Sequence, residues 1–336
     1  MHSFSYLAAF FSAAWGVQAG GGASSPVIRN VFTFPPNHFI ENIAVRSNSK
    51  LLITSMSVPH LFSIDPTVAS PNASIVHTFS NITGISGIAE TTSDVFALVT
   101  AEWDLAATRA IPGTLKVWTA NFNQRRPNGA PTISLLTDIQ NSTIFNGLAR
   151  HPTNPRLLLA ADSAIGAVWR VDLATGAYGI AFSSPLLTPT GTAPGTHLGI
   201  NGLRSHGSHL YFTNSAQQFF GRVAVDWNGN PVGAIQVISN STVAGPDVVY
   251  DDIALDVGRT GKVKSAWIAS HPSYGVEVTL ASGSQFVVND AAKLLNPTSA
   301  AFGRGSSKQE KTLYITNGGE FVGFDLVNEG VVAIEV

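Results

Sequence analysis

Phe145-Asn146-Gly147-Leu148-Ala149-Arg150 is a short apolar run opened by an amide and a glycine, and its pattern recurs along the chain. Ile200-Asn201-Gly202-Leu203 repeats it, followed by a second apolar run, Leu210-Tyr211-Phe212-Thr213-Asn214. Weaker copies open at Glu41-Asn42-Ile43, Gly84-Ile85-Ser86-Gly87, Asp251-Asp252-Ile253 and Pro297-Thr298-Ser299. Counting from Asn42 through Gly87, Asn146, Asn201 and Asp252 to Ser299, the steps are 45, 59, 55, 51 and 47 residues. A unit of that length cannot bury its own apolar face, so the repeat predicts a propeller or solenoid.

The third unit reads as four strands, at residues 146–150, 157–161, 167–172 and 178–182. Four strands per unit is the pattern of a propeller blade. The sixth unit supplies only three, ending at Val336, while residues 27–34 read as a spare strand before the first unit. The expectation is an all-β, six-bladed propeller over residues 27–336 in which both chain ends share the last blade. Closure of this kind removes exposed sheet edges. Two segments exceed the repeat: 101–113 lengthens a hairpin in blade 2, and 183–199 is a long loop ahead of Asn201. Long loops of this kind commonly form lids or binding walls.

Of 336 residues, 44% are hydrophobic and only 12% charged, and the net charge is -2. With no basic block, nothing points to nucleic acid as a partner. Residues 6–17 are apolar but too few to span a bilayer, and Val17-Gln18-Ala19 offers small cleavage-site residues. Residues 1–19 therefore read as a secretory signal and 20–26 as a flexible leader, which places the protein in the secretory lumen or outside the cell. Sequons at Asn72, Asn81, Asn141 and Asn240 fit that route. The chain has no cysteine, which excludes disulfides and thiolate metal sites.

In a propeller the first strand of each blade lines the central channel. Aligning the six unit starts brings Glu41, Asn146, Asn201 and Asp251 to one ring. Two carboxylates and two amide oxygens make a hard-oxygen site suited to one calcium or magnesium ion. The same ring also serves as a hydrogen-bonding cap on buried strand ends, and both readings stand at this level. Gly-x-Ser-x-Gly, phosphate-loop and His-Glu-x-x-His motifs are missing from the sequence.

These motifs resemble those of the SMP-30/gluconolactonase and paraoxonase propellers over nearly all of the chain after residue 19. The likeness is strongest to a fungal secreted branch. The resemblance implies that Glu41, Asn201 of Asn201-Gly202-Leu203 and Asp251 of the run Asp251–Asp256 hold a metal, with Asn146 as a further ligand or substrate contact. Two positions depart from the lactonases: Asn42-Ile43 replaces their Gly-Pro, and Ile144 stands where they carry a substrate-clamping arginine. The fungal branch includes hetero-Diels–Alderases that couple tropolone sesquiterpenoid precursors. Similarity to it implies an enzyme for apolar small molecules acting by proximity and orientation. Under that reading His271, Tyr250 and Asp252 are the candidate catalytic groups. Asn42, Asn146, Trp103, Phe219, Tyr274 and Ser299 are the candidate substrate contacts. His197 is a further loop histidine able to carry a proton. A metal-dependent lactonase or esterase and a non-catalytic binding propeller are the alternatives.

Overall fold

A computed structural model describes residues 26–124, 130–142, 144–192, 196–243 and 248–336. The proposed signal, nearly all of the leader, Thr143 and Pro194 lie outside them. Six four-stranded antiparallel sheets form the fold, as the repeat predicts. Blade 1 comprises Ile40–Val45, Leu51–Ser55, His60–Ile64 and Ala73–Thr78. Blade 2 comprises Gly84–Thr92, Val95–Ala101, Lys116–Asn121 and Thr132–Asp138. Blade 3 runs through Phe145–Arg150, Leu157–Asp162, Ala167–Asp172 and Tyr178–Ser183. Blade 4 uses Ile200–His206, His209–Asn214, Phe219–Val225 and Pro231–Asn240. Blade 5 uses Val249–Val257, Val263–His271, Tyr274–Thr279 and Gln285–Asn289. Blade 6 combines Pro297–Phe302, Thr312–Asn317 and Gly330–Glu335 with the N-terminal strand Ile28–Thr33 as its outer edge. The chain ends therefore share this blade.

Burial follows strand position. The second strands Leu51–Ser55 and Leu157–Asp162 are buried at every residue, whereas the outer strand Ala73–Thr78 has no buried residue. An inner strand is covered by a neighbouring blade on each face, so its sequence is apolar throughout rather than alternating. Six apolar clusters fill the spaces between neighbouring blades. One, for example, packs Leu52 and Leu61 of blade 1 on Ile88, Phe96 and Leu98 of blade 2. Another packs Val31 and Val331 of blade 6 on Ile43, Ile53 and Phe62 of blade 1, across the closure.

Every first strand carries one extra residue against its neighbour. In blade 1, Ile40 pairs with Ser55 and Ile43 with Ile53. The same offset occurs after Ile85, Phe145, Ile200, Tyr250 and Pro297. Such a bulge sets two residues opposite one and re-aims their side chains. The bulged pairs are Glu41-Asn42, Ser86-Gly87, Asn146-Gly147, Asn201-Gly202, Asp251-Asp252 and Thr298-Ser299. The quoted amide-glycine signature is the sequence trace of the bulge.

Threonines satisfy the backbone groups that the bulge frees. Thr54 Oγ1 accepts from Asn42 N at 3.0 Å and donates to Ser86 O of the next blade at 2.7 Å. Thr213 repeats both bonds between Gly202 N and Asp251 O, at 3.0 and 2.5 Å. Gly202 is needed where it stands, since a Cβ there would meet Asp252 Cα at 2.5 Å.

Candidate functional site

The bulges define two polar layers on the axis. The first is Glu41, Ser86, Asn146, Asn201, Asp251 and Thr298. Four of these, Glu41, Asn146, Asn201 and Asp251, form the floor of a cavity of about 1250 Å³, open solvent at its mouth included. The proposed metal ring and the cavity floor are therefore the same residues, and His271 joins them.

Local bonds aim the floor groups upward. Asn201 Nδ2 donates to Ser215 Oγ at 2.9 Å, and Ser215 in turn donates to Tyr250 O at 2.8 Å. That leaves Asn201 Oδ1 buried with no partner. Asn146 Oδ1 and Asp251 Oδ1 are in the same condition. Three unpartnered oxygens on one ring are an unmet hydrogen-bonding or ligating demand, because buried polar atoms are normally paired. This donor set fits a hard cation. Among the described residues no three His, Cys, Asp or Glu side chains converge to hold a metal, so such a site depends on its two asparagines.

Burial raises the Glu41 carboxyl well above the ordinary range, and the charges of Asp251 and Asp252 add to it. Asp251 is raised by burial and then by Asp252, against a hydrogen bond from Asn201. His271 Nε2 lies 3.2 Å from Asp251 Oδ2, and burial pulls its imidazole down to about 4. The unfolded chain therefore binds a proton on His271 between about pH 4 and 6.5 that the folded chain does not. Stability present above pH 6.5 is lost as pH falls toward 4, by at most about 3 kcal/mol. A His271→Gln variant is expected to show a shallower fall of Tm across that window. Equal slopes for the two proteins would contradict a half-buried imidazole held neutral by the fold.

The second layer lies beside the first. Asp252 is fully buried and pairs with Arg204 Nη2 at 2.8 Å. The Ser299 hydroxyl lies 2.9 Å from Asp252 Oδ2 and 3.1 Å from Asn42 Oδ1. Asp252, Ser299 and Asn42, expected as catalytic or substrate-contacting, are brought together here but do not line the cavity. They tie blades 5, 6 and 1 at the axis, and Arg204 adds blade 4.

The aromatic candidates are placed elsewhere. Tyr250 precedes Asp251, so its side chain points away from the floor into the cluster between blades 4 and 5, where Tyr274 also packs. Phe219 faces blade 3 and Trp103 joins the core between blades 2 and 3. For these four, packing between blades outweighs their nearness to the mouth.

The cavity walls are largely apolar. Phe39, Ile144 and Val249 rise from the ends of first strands. They sit two residues before Glu41, Asn146 and Asp251, and Asn296 holds the same place before Thr298. A strand returns to the same face every second residue, so shifting the repeat alignment back by two would have found them. The other walls come from additions to the repeat. The 101–113 segment forms a hairpin, Trp103–Asp104 with Arg109–Ala110, and contributes Leu105 and Thr108. The 183–199 loop contributes His197 and Leu198. A second hairpin, Glu320–Val322 with Asp325–Val327, contributes Phe321 and Leu326. Its strands are too short to register as periodic in the sequence.

Fold and site together define a six-bladed propeller with a largely apolar axial cavity over a floor of carboxyl and amide groups. No family model matches the chain. Two curated relatives are both named "Putative hetero-Diels-Alderase". That of Sarocladium schorii is 25% identical, the match covering 89% of this chain and 80% of the relative. That of a Phoma species is 24% identical over 86% of each chain. Among solved structures, the calcium-binding protein regucalcin of Agrobacterium tumefaciens superposes with a TM-score of 0.60 at 14% identity, covering 92% of this chain and 95% of that one. A structure described as a "putative gluconolactonase" gives 0.57 at 13%, covering 94% and 93%. The resemblance read from the sequence therefore holds at both levels, relatives in sequence carrying the hetero-Diels-Alderase name and neighbours in structure the gluconolactonase-like fold. Among the described residues no helix is long and apolar enough to cross a membrane.

Proposed function

We propose that the chain is an enzyme that gathers two apolar partners in the axial cavity and joins them by hetero-Diels–Alder cycloaddition. The observation that carries this reading is the division of the cavity into largely apolar walls and a polar floor. An oxygen-bearing diene seats its oxygen on the floor, and its carbon skeleton and the alkene partner fill the walls. In the step, one C–O and one C–C bond form from six π electrons. No leaving group departs and nothing is oxidised or reduced. The protein's task is then to hold near-attack geometry and to polarise one oxygen. Glu41, whose carboxyl burial pushes toward the protonated form, is the donor best placed by its chemistry to do so, with the Asn146 amide on the same floor. Ile144 supports an apolar substrate, since the resembled lactonases place an arginine there. With Glu41 and Asp251 ionised instead, a calcium or magnesium ion on them, Asn146 and Asn201 would take the place of the Glu41 proton and supply Lewis-acid polarisation of the same oxygen. Regucalcin's description as calcium-binding is in keeping with that.

The unpartnered floor oxygens also favour a second reading, metal-assisted lactone hydrolysis. One experiment separates the two. An ortho-quinone methide generated in situ is mixed with an electron-rich alkene, and dihydropyran yield and enantiomeric excess are followed. Aryl lactones are offered in parallel. Enantioenriched dihydropyran, lowered roughly 100-fold by Ile144→Arg, supports cycloaddition. Racemic product at the background rate, with lactone turnover, overturns it in favour of hydrolysis.

We further read the protein as a secretory-pathway glycoprotein. Asn72, Asn81, Asn141 and Asn240 are all exposed, so the folded chain has room for a glycan at each. The intact mass of protein recovered from a fungal host's medium, before and after deglycosylation, checks this and the removal of residues 1–19 together.

A further inference from the structure

An open groove lies on the outside of blades 3 and 4, and no residue lining it lines the axial cavity. Its most conspicuous member is Trp227, 60% exposed. The indole is unpacked, yet the turn that carries it is tightly held. Within the turn, Asp226 Oδ1 accepts the N–H groups of Asn228 and Asn230, each at 2.9 Å. From blade 3, His151 Nε2 lies 2.8 Å from Asp226 O, and Asn154 Nδ2 donates to Trp227 O at 3.0 Å. Arg170 Nη1 donates to Asn228 O, also at 3.0 Å. Three side chains of one blade thus fix the backbone beneath an aromatic ring of the next that contributes little to the core.

The facing wall adds an independent observation. Gly179 lies in the outer strand of blade 3 and pairs with Arg170. Its backbone is not in the left-handed region, and a Cβ there would meet nothing within 4 Å. Neither conformation nor packing calls for glycine at this place. A bare glycine in a strand leaves room for a ligand to approach the backbone. Around it stand Arg156, Asp172 and the side-chain amide of Asn228, which makes no hydrogen bond to the described residues.

An exposed indole beside an amide, a guanidinium and a carboxylate matches a pyranose. The C–H face of the sugar covers the ring, and its rim hydroxyls exchange hydrogen bonds with planar side chains. An anion fits less well, because Asp172 shares the groove and already pairs with Arg156 at 2.9 Å. We propose that this groove is a binding site for a neutral oligosaccharide, separate from the axial cavity.

Chitotriose, mannotriose and laminaritriose are titrated into the whole protein, with sodium sulfate as the anion control. Binding is read by calorimetry and by ligand-observed saturation-transfer NMR. At least one saccharide is expected to bind saturably. Trp227→Ala and Gly179→Leu are each expected to weaken it tenfold or more while leaving Tm unchanged, since both positions face solvent. Binding of none of the three sugars, binding indifferent to both substitutions, or a response to sulfate alone would overturn the proposal.

Discussion

A chain that begins at Pro35 is expected to show no cooperative unfolding transition and to elute as aggregate, while one that begins at Val27 behaves as the full protein does. The shorter chain loses the strand Ile28–Thr33, which pairs with Gly330–Glu335 from Ile28 opposite Ile334 to Thr33 opposite Gly330. Three buried apolar side chains go with it, Ile28, Val31 and Phe34. At about 1.5–3 kcal/mol each, they account for roughly 5–9 kcal/mol. The net stability of a whole domain is of the order of 5–15 kcal/mol. The loss falls on the clusters on both sides of blade 6. It also leaves Gly330–Glu335 as an uncovered edge, ready to pair with another molecule. Urea unfolding and size-exclusion chromatography measure both consequences. A Pro35 chain that is monomeric with an unchanged midpoint would mean that the shared blade does not close the ring energetically.

The double variant Glu41→Gln, Asp251→Asn is expected to be inactive yet no less stable than the parent at pH 8 without divalent cations. Both carboxyls are raised by burial and by neighbouring negative charge. Between their ordinary range and their raised folded values, the folded chain holds protons that the unfolded chain has released. Stability therefore falls as pH rises through that window. Amides of the same shape remove this cost. They also remove the proposed proton donor or, where a cation is held, its anionic ligands, and losing one such group from a site commonly lowers turnover by roughly 100- to 1,000-fold. Calcium at pH 8 is expected to raise the Tm of the parent and not of the variant, and elemental mass spectrometry checks the bound metal directly. A variant that keeps full activity would remove the floor from the chemistry altogether. A calcium shift that survives in the variant would place any cation elsewhere.

The floor was legible in the sequence because it repeats. Glu41, Asn146, Asn201 and Asp251 sit at equivalent places in units near fifty residues long, and a period fixes position around an axis without coordinates. What lies beside them was less legible. Tyr250 and Asp252 flank Asp251, and only the bulge decides that one turns to the inter-blade core and the other to a second polar layer. Asn42 and Ser299 share that layer for the same reason. Trp103 and Phe219 are aromatic residues at strand ends, where sequence does not tell a cavity wall from a blade interface. Phe321 and Leu326 come from a hairpin added to the repeat, and nothing periodic marks them.

The partnership of Ile28 with Ile334 also has a bearing on how the chain is made. The first strand of the domain to be synthesised is the outer strand of the blade finished last. It stays unpaired while more than 300 residues follow it. The equilibrium cost of closing so long a loop grows only slowly with length. In time, however, contacts so distant in sequence form late. Until then Ile28, Val31 and Phe34 are apolar residues without a place to go. A nascent chain of this protein thus carries its own vulnerable interval, which ends only when its final strand arrives.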